Sequence, residues 1–369
     1  MKHTHFRQTT LATIRVRTIY SLVLRFCQLH PLPKRRGRPC KYSEALILTL
    51  WLLAVRENAS YRRLLFALAP EILPDHPLPA LGTLAYRLQH LADKRLQQLL
   101  HWLAQQGMAS ETLTCETPCV FVDGTGVGYA SPFFAQYLRG AQIRQQRSHV
   151  KVVALVYWQG GRAWVIGLSC GAAYADEGRL LGEWVERYGR GGLGSGTLLV
   201  GDRLYGYRAR LLKQLEEAGW LPVARVEAGL HQQVRADARL RARLRAEVYG
   251  WALGERYRIE QVFGSVKSAY GSVWRARSWE GARVWVWGMF VLWNMVGLVR
   301  VLGDGSDGFI VCCVWVRGGW VIFRTPSGYL RVLGKRLFMG QTHRSALQEA
   351  CWLWVWVVYA IFRAPSDIR

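Results

Sequence analysis

The order of apolar segments between about residue 111 and residue 270 most restricts the fold of this 369-residue chain. Five runs have the composition and length of β-strands: 119–122, 149–158, 163–169, 197–200 and 220–226. Three runs have helical spacing: 177–188, 207–218 and 255–270. Three strands in succession, followed by alternating helices and strands, predict an α/β domain with a mixed five-stranded sheet.

Three carboxylates stand at comparable places in this pattern. Asp123 and Asp202 follow the first and fourth strand-like runs, and Glu260 lies on the last helix-like run. The element order is that of a ribonuclease H-like domain, in which the first strand, the end of the fourth strand and a late helix meet at one edge. The sequence therefore predicts Asp123, Asp202 and Glu260 together at that edge, as catalytic residues and as metal ligands.

Each carboxylate also has an ordinary structural interpretation. The pairs Asp123-Gly124 and Gly201-Asp202 are turn sequences, and Arg256 with Glu260 has the spacing of an i, i+4 ion pair. At about 100° per residue, however, Glu260 and Lys267 fall within about 40° of Arg256, beside an apolar face. We therefore predict that Glu260 binds metal while Arg256 and Lys267 hold DNA phosphates.

Three carboxylates at one edge repel one another, and divalent cations relieve that repulsion best. Two Mg²⁺ ions about 3.5–4 Å apart clamp the attacking and leaving oxygens of an in-line phosphoryl displacement. We expect Mg²⁺ as the cofactor, with Mn²⁺ able to replace it. Water would be the first nucleophile and a DNA 3′-hydroxyl the second, so no protein nucleophile is needed.

The charge of the chain favours double-stranded DNA as the partner. Lys and Arg number 49 against 25 Asp and Glu, a net charge of +24, and neutralised phosphates release counterions. Residues 34–39 form a basic run in which Arg35 precedes an Arg-Gly-Arg-Pro core containing Arg36 and Arg38. An extended Arg-Gly-Arg can enter an A·T minor groove. A solvated basic linker is the alternative for this segment.

Residues 1–110 read as an all-α region of short helices, one of them opening after Ser43 as a plausible N-cap. The pattern fits a helix-turn-helix-like DNA-binding unit, and it fits any small helical bundle equally well.

We expect no membrane partner. The apolar stretches 284–299 and 350–362 are interrupted or short, whereas a membrane-spanning helix needs about 20 residues, so the first is predicted to be a core helix. Arginines interrupt the apolar segments near the N-terminus, and no signal peptide is expected. The scattered cysteines indicate reduced thiols and no zinc site. A cytoplasmic, nucleoid-associated bacterial protein fits these features.

At these residues the chain resembles the DDE insertion-sequence transposases of the group with a Tyr-x2-Arg-x3-Glu-x6-Lys signature. Arg256, Glu260 and Lys267 match that spacing, and the surroundings of Asp123 (Val-Asp-Gly-Thr) and Asp202 (Gly-Asp-Arg-Leu-Tyr-Gly-Tyr) resemble the first two family motifs. The resemblance extends from about residue 35 to residue 300. It implies DNA transposition, recognition of terminal inverted repeats by the N-terminal region, capture of target DNA and a homodimer or larger assembly on paired DNA ends.

The chain departs from the family pattern in two places. Leu253 stands where the signature tyrosine would fall, which removes one DNA-backbone contact that the resemblance would imply. An Arg-rich stretch, 235–245, replaces the β-domain that some members carry, and it is either a solvated helix or a phosphate-binding surface. Asp176 and Glu177 are expected to be structural acids at a helix N-terminus.

Three regions follow from these observations: a helical region 1–110, a catalytic domain 111–303 and an atypical tail 304–369. The tail is crowded with Val, Trp, Arg and Gly, which fits either translation outside the natural frame or a β-rich appendage. Two other functions stay open: a ribonuclease H-fold nuclease or resolvase that only hydrolyses, and an inactive DNA-binding transposase relic.

Overall fold

The computed structural model describes most of the chain up to residue 302 and parts of the tail. The described residues are 14–33, 40–73, 76–109, 118–128, 134–139, 142–147, 149–159, 161–189, 196–226, 237–271, 276, 278–302, 310–316, 319–325 and 331–332. Residues Met1–Gly305 form one compact unit and Ser306–Arg369 a second. The basic segment with Arg35, Arg36 and Arg38 lies outside the described residues.

The described part of residues 14–109 is helical. Its helices are α1 (Val16–Leu29), α2 (Glu44–Arg56), α3 (Tyr61–Arg63), α4 (Ala69–Ile72), α5 (Leu81–Gln89) and α6 (Asp93–Ala109), with a π-helical turn, Leu64–Leu68, between α3 and α4. Ser43 caps α2 as predicted, because its side chain accepts a hydrogen bond of 3.2 Å from the Leu46 backbone N–H. Every residue from 45 to 55 of α2 is buried, so this helix forms part of the core.

A mixed five-stranded sheet follows, as predicted from the sequence. Its strands are β1 (Cys119–Gly128), β4 (His149–Gln159), β5 (Arg162–Gly171), β6 (Leu198–Val200) and β7 (Leu221–Val223), and a separate pair, β2 (Phe134–Arg139) and β3 (Gln142–Arg147), stands between β1 and β4 in the chain. The spatial order is β5-β4-β1-β6-β7. The pairs β5–β4 and β4–β1 are antiparallel, whereas the pairs β1–β6 and β6–β7 are parallel.

Seven helices accompany this sheet in the described residues: α7 (Glu177–Tyr188), α8 (Arg203–Gly206), α9 (Ala209–Glu217), α10 (Asp237–Val248), α11 (Gly250–Gly254), α12 (Tyr257–Tyr270) and α13 (Trp279–Leu302). The run 207–218, predicted as one helix, begins only at Ala209, after the short helix α8.

The first strand is longer than its sequence predicts. The apolar run ends at Val122, but β1 continues to Gly128 because its glycine-rich half still pairs with β4. Pairing with β6 stops earlier, at Phe121 opposite Val200. Asp123 and Asp202 each lie two residues beyond that last pair. They are therefore neighbours at the point where β6 ends and β1 continues.

Helix α13 is the central core helix of the first unit. By length and composition it would suffice to cross a membrane, but 72% of its most apolar window is buried inside the protein. It packs against α2, α6 and β5. The prediction of a core helix at 284–299 is thereby confirmed, and the other apolar stretch, 350–362, lies outside the described residues.

Two buried amide side chains cover the outer edge of β5. Gln97 of α6 donates to the Ile166 carbonyl at 2.7 Å and accepts from the Leu168 N–H at 3.2 Å. Asn294 of α13 accepts from the Val165 N–H at 3.0 Å and donates to the Val165 carbonyl at 2.7 Å. Backbone groups on the side of β5 away from β4 are thus satisfied inside the protein.

Replacing Gly107 of α6 with alanine is expected to lower the free energy of unfolding by about 1–3 kcal/mol, because it overpacks the core. A Cβ at Gly107 would lie 2.2 Å from Cη2 of Trp164, a ring that is 1% exposed. Gly82→Ala in α5 is the matched control, since a Cβ there meets nothing within 4 Å. It should raise stability by about 0.5–1 kcal/mol. Urea unfolding measures the free energy of unfolding of both variants. Equal changes in the two would contradict the close packing of Trp164 on Gly107.

In the second unit the described strands are β8 (Ile310–Val316), β9 (Gly319–Thr325) and β10 (Arg331–Val332), paired in the order β10-β9-β8. Both interpretations of the tail, out-of-frame translation and β-rich appendage, stay predictions.

Candidate active site

Asp123 and Asp202 are oriented by neighbouring backbone groups at the shared edge of β1 and β6. Asp202 is the N-cap of α8, and its side chain accepts a hydrogen bond of 2.8 Å from the Leu204 N–H. Asp123 accepts one of 2.8 Å from the Gly124 N–H. An aspartate suits both positions because its short side chain reaches the backbone one or two residues further on.

The surroundings of Asp123 disfavour its ionised form unless a cation lies nearby. Burial raises the pKa of its carboxyl group, and the negative charges of Asp202 and Glu177 act in the same direction. The Gly124 N–H and the Arg256 guanidinium oppose the shift by stabilising the charged form. The ionised aspartate is therefore costly here unless positive charge lies beside it.

Arg256, the residue directly before α12, supplies a positive charge beside Asp123. Its guanidinium donates to Oδ2 of Asp123 at 2.9 Å and to Oε1 of Glu260 at 3.2 Å. The i, i+4 ion pair considered from the sequence is present, but the same guanidinium also reaches β1. The structure thus brings Glu260 to Asp123 through Arg256, while the apolar side of α12 is buried as predicted.

Lys267, two turns after Glu260 in α12, contacts the same part of β1. Its ammonium group donates to Oγ1 of Thr125 at 2.6 Å, two residues beyond Asp123. Burial lowers the pKa of this half-buried amine. Arg256 and Lys267 therefore both lie against β1 beside the carboxylates, at the spacing that the sequence pattern predicts.

A fourth carboxylate, Glu177, lies at this place, and the sequence interpretation assigned it only a structural role. Glu177 is the first residue of α7; it forms an ion pair with Lys151 and accepts a long hydrogen bond of 3.5 Å from the Tyr205 hydroxyl. Its neighbour Asp176 is the N-cap, accepting from the Arg179 N–H at 2.7 Å. The sequence contains a signal for this position: Glu177 begins the helix that follows β5, and β5 belongs to the same sheet as β1 and β6.

Comparison with known proteins identifies the family. An uncharacterised protein of Aquifex aeolicus (strain VF5) is 33% identical over 272 residues, which cover 73% of this chain and 81% of that relative. No solved structure matches the chain. The family described as "Transposase DDE domain" matches residues 114–295. The chain belongs to the DDE transposase family. The matched residues of this transposase contain the five-stranded sheet and the residues Asp123, Asp202 and Glu260.

The donor chemistry at the carboxylates of this transposase fits a hard divalent cation. In the conformation described, no three Asp, Glu, His or Cys side chains among the described residues are close enough to hold a metal ion. Arg256 lies between Asp123 and Glu260 and bonds to both, so positive charge already occupies that place. Carboxylate oxygens are the ligands that Mg²⁺ prefers, and a divalent cation would take over the role of the guanidinium.

The region before α12 differs from the expected signature. Leu253 is partly buried and packs against the core, whereas Tyr257 is 47% exposed. The described part of the Arg-rich stretch, from residue 237 on, lies in α10. In this helix Arg241 and Arg245 pair with Glu216 at 2.5 and 2.7 Å. Two arginines of α10 in this transposase thus already form ion pairs within the protein.

Proposed function

We propose that this transposase is a divalent-metal-dependent enzyme that binds the terminal inverted repeats of its element, cleaves the DNA at their ends and joins those ends to target DNA. The observation that carries the proposal is the placement of Asp123 beside Asp202 at the end of β6, with Arg256 linking Asp123 to Glu260. Three acidic side chains at one sheet edge are the ligands that metal-assisted phosphoryl transfer requires, and the Arg256 guanidinium between two of them is a group that can bind a phosphate.

Asp123, Asp202 and Glu260 would hold Mg²⁺, or Mn²⁺ in its place. The bound ions supply charge stabilisation for the attacking and leaving oxygens of the displacement. The chain itself orients the reactants: backbone N–H groups fix the two aspartates, and Arg256 exchanges its carboxylate partners for a DNA phosphate. Lys267, held beside Asp123 by Thr125, offers a second phosphate contact.

The remaining DNA contacts follow from charge. A net charge of +24 supports binding to double-stranded DNA, and we propose that Arg35, Arg36 and Arg38 with the N-terminal helices bind the terminal repeats. The spacing of Arg256, Glu260 and Lys267 supports the Tyr-Arg-Glu-Lys group, although Leu253 replaces the tyrosine of that signature. We further propose a homodimer or larger assembly on paired DNA ends, in the cytoplasm and at the nucleoid.

Incubation of the full-length protein with Mg²⁺, DNA carrying the repeats that flank its gene, and a supercoiled target plasmid tests the proposal. We expect nicked or cut repeat ends and a joined product that contains target DNA. Cut ends without joined product would support the nuclease alternative. Binding without cutting would support the inactive relic, and cleavage that survives Glu260→Ala would refute the site assignment.

An Arg256→Gln substitution is expected to have opposite effects on metal and DNA. Without the competing guanidinium, Mn²⁺ should bind the DNA-free protein about tenfold more tightly, a change of about 1.4 kcal/mol. Cleavage should fall about 10- to 100-fold, because a charge-assisted phosphate contact contributes about 1.5–3 kcal/mol. Electron paramagnetic resonance of free Mn²⁺ and a cleavage assay measure the two effects.

Arg258→Gln is the matched control for that substitution. Arg258 lies two residues further along α12, pairs with Glu255 and stacks over Trp158 with 4.0 Å between guanidinium carbon and ring centroid. It should change neither Mn²⁺ affinity nor cleavage appreciably. An Arg256→Gln protein with unaltered Mn²⁺ affinity would show that the guanidinium does not compete for the metal site.

A further inference from the structure

Helix α10 exposes its largest apolar side chains to solvent. Leu240, Leu244 and Val248 are 44%, 51% and 70% exposed; they follow one another at four-residue spacing and so form one stripe along the helix, here called the outer stripe. The buried residues of α10 are Ala238 and Ala242, which pack in a small apolar cluster with α9 and the end of the β7 segment. A helix that met only solvent on its outer side would turn its large apolar residues inward. The outer stripe therefore indicates a second contact surface.

The arginines of α10 do not make this side of the helix a DNA-binding surface. Each of the four is already bonded within the protein: Arg241 and Arg245 to Glu216, Arg243 to Glu247, and Arg239 to the Gly206 carbonyl. A DNA phosphate would have to displace these bonds, and aliphatic side chains offer a phosphate no hydrogen bond. The outer stripe suits an apolar protein surface better than DNA.

The charges beside the outer stripe suit a second copy of the same helix. At about 100° per residue, Arg243 and Glu247 both lie on one side of Leu244. If two copies of α10 pack antiparallel about a twofold axis near Leu244, that leucine meets its own copy and Leu240 meets the partner's Val248. Arg243 then lies beside the partner's Glu247, and the symmetry repeats this pair. The stripe and its charges are thus complementary to themselves.

The size of α10 sets the strength of association to expect. The helix has 12 residues, which corresponds to a length of about 18 Å, whereas a standard interface buries about 800 Å² per partner. One helix face covers less than that. The free protein should therefore associate weakly, and two copies that also share DNA should associate more tightly.

We propose that the outer stripe of α10 is a contact between two copies of this transposase, packed antiparallel about a twofold axis near Leu244. The inference rests on the homodimer of the proposed function and names its surface. In the alternative, the stripe binds DNA or a different protein, and its charges have no relation to a second copy.

Sedimentation velocity of the full-length protein, alone and with terminal-repeat DNA, measures this association. Leu244→Glu sets two carboxylates against each other at the twofold axis and should weaken self-association at least about tenfold. Leu29→Glu is the matched control, because Leu29 ends α1 and is 57% exposed. It should leave the association unchanged. Thermal unfolding of each variant checks that it is folded.

A charge exchange tests the antiparallel arrangement itself. Arg243→Glu and Glu247→Arg each place like charges opposite one another twice, and each should weaken self-association about three- to tenfold. An equimolar mixture of the two variants should associate about as well as the wild type, since every facing pair is then of opposite sign. A mixture that associates no better than either variant alone would overturn the arrangement.

The outcomes separate this inference from the proposed function. If the wild type associates and folded Leu244→Glu associates equally well, the surface is wrong while the proposed homodimer stands. If the wild type stays monomeric both alone and on repeat DNA, the inference and the proposed assembly both fail. If Leu244→Glu weakens DNA binding by the monomer and leaves self-association unchanged, the stripe is a DNA contact and the inference is wrong.

Discussion

An Asp202→Asn variant is expected to bind terminal-repeat DNA as the wild type does and to cleave it at least about a thousandfold more slowly, a loss of about 4 kcal/mol in the transition state. Asparagine keeps the side-chain oxygen that accepts from the Leu204 N–H, so α8 retains its N-cap. What disappears is the negative charge that, in the proposed function, would hold a divalent cation beside Asp123. Removing that charge also relieves repulsion in the cluster, so the melting temperature should not fall.

Asp237→Asn is the matched control for the cleavage assay. Asp237 is exposed in the first turn of α10, and its replacement changes the net charge by the same amount away from the carboxylates. Gel-shift and cleavage assays on the same DNA measure binding and chemistry separately. Asp202→Asn cleavage within tenfold of the wild type would show that the metal ligands lie elsewhere.

Replacing Asn294 with leucine is expected to lower the free energy of unfolding by about 3–5 kcal/mol, because several buried backbone groups lose their partners together. The amide bonds to the N–H and carbonyl of Val165 and to the Leu100 carbonyl at 3.2 Å. Leucine has a similar volume, so the loss reports unsatisfied polar groups more than a cavity.

Urea unfolding of the Asn294→Leu protein measures this effect. Glu280→Gln, at the exposed start of the same helix α13, serves as the control and should stay within about 0.5 kcal/mol of the wild type. An Asn294→Leu protein as stable as that control would mean that water or a rearranged side chain satisfies β5.

Much of the fold was predictable because apolar periodicity reports burial directly. The strand order and the apolar side of α12 follow from runs and spacings in the sequence, and so does the core identity of α13. The length of β1 does not, since Gly124, Gly126 and Gly128 read as turn residues. Their pairing with β4 is a long-range property that no local pattern encodes.

In the candidate site, too, some features follow from local sequence patterns and others depend on long-range contacts. Asp123, Asp202 and Glu260 can be proposed from the sequence because each follows or lies on a recognisable element. Arg256 and Lys267 can be proposed because they share the helical side of Glu260. The sequence predicts Glu177 as a structural acid. Its contacts with Lys151 and Tyr205 could not be predicted, because those residues come from other elements. The bridging position of Arg256 depends likewise on the distance between α12 and β1.

The amide side chains bonded to β5 restrict which proteins can pair with the edge of the central sheet. With Gln97 and Asn294 bonded along that strand, no strand of another protein can add to the central sheet there. At the opposite margin β7 has three residues, and Pro222 among them has no N–H to donate. Both margins of the central sheet are thus poor sites for an added strand, so an assembly of the kind proposed above would be joined outside this sheet.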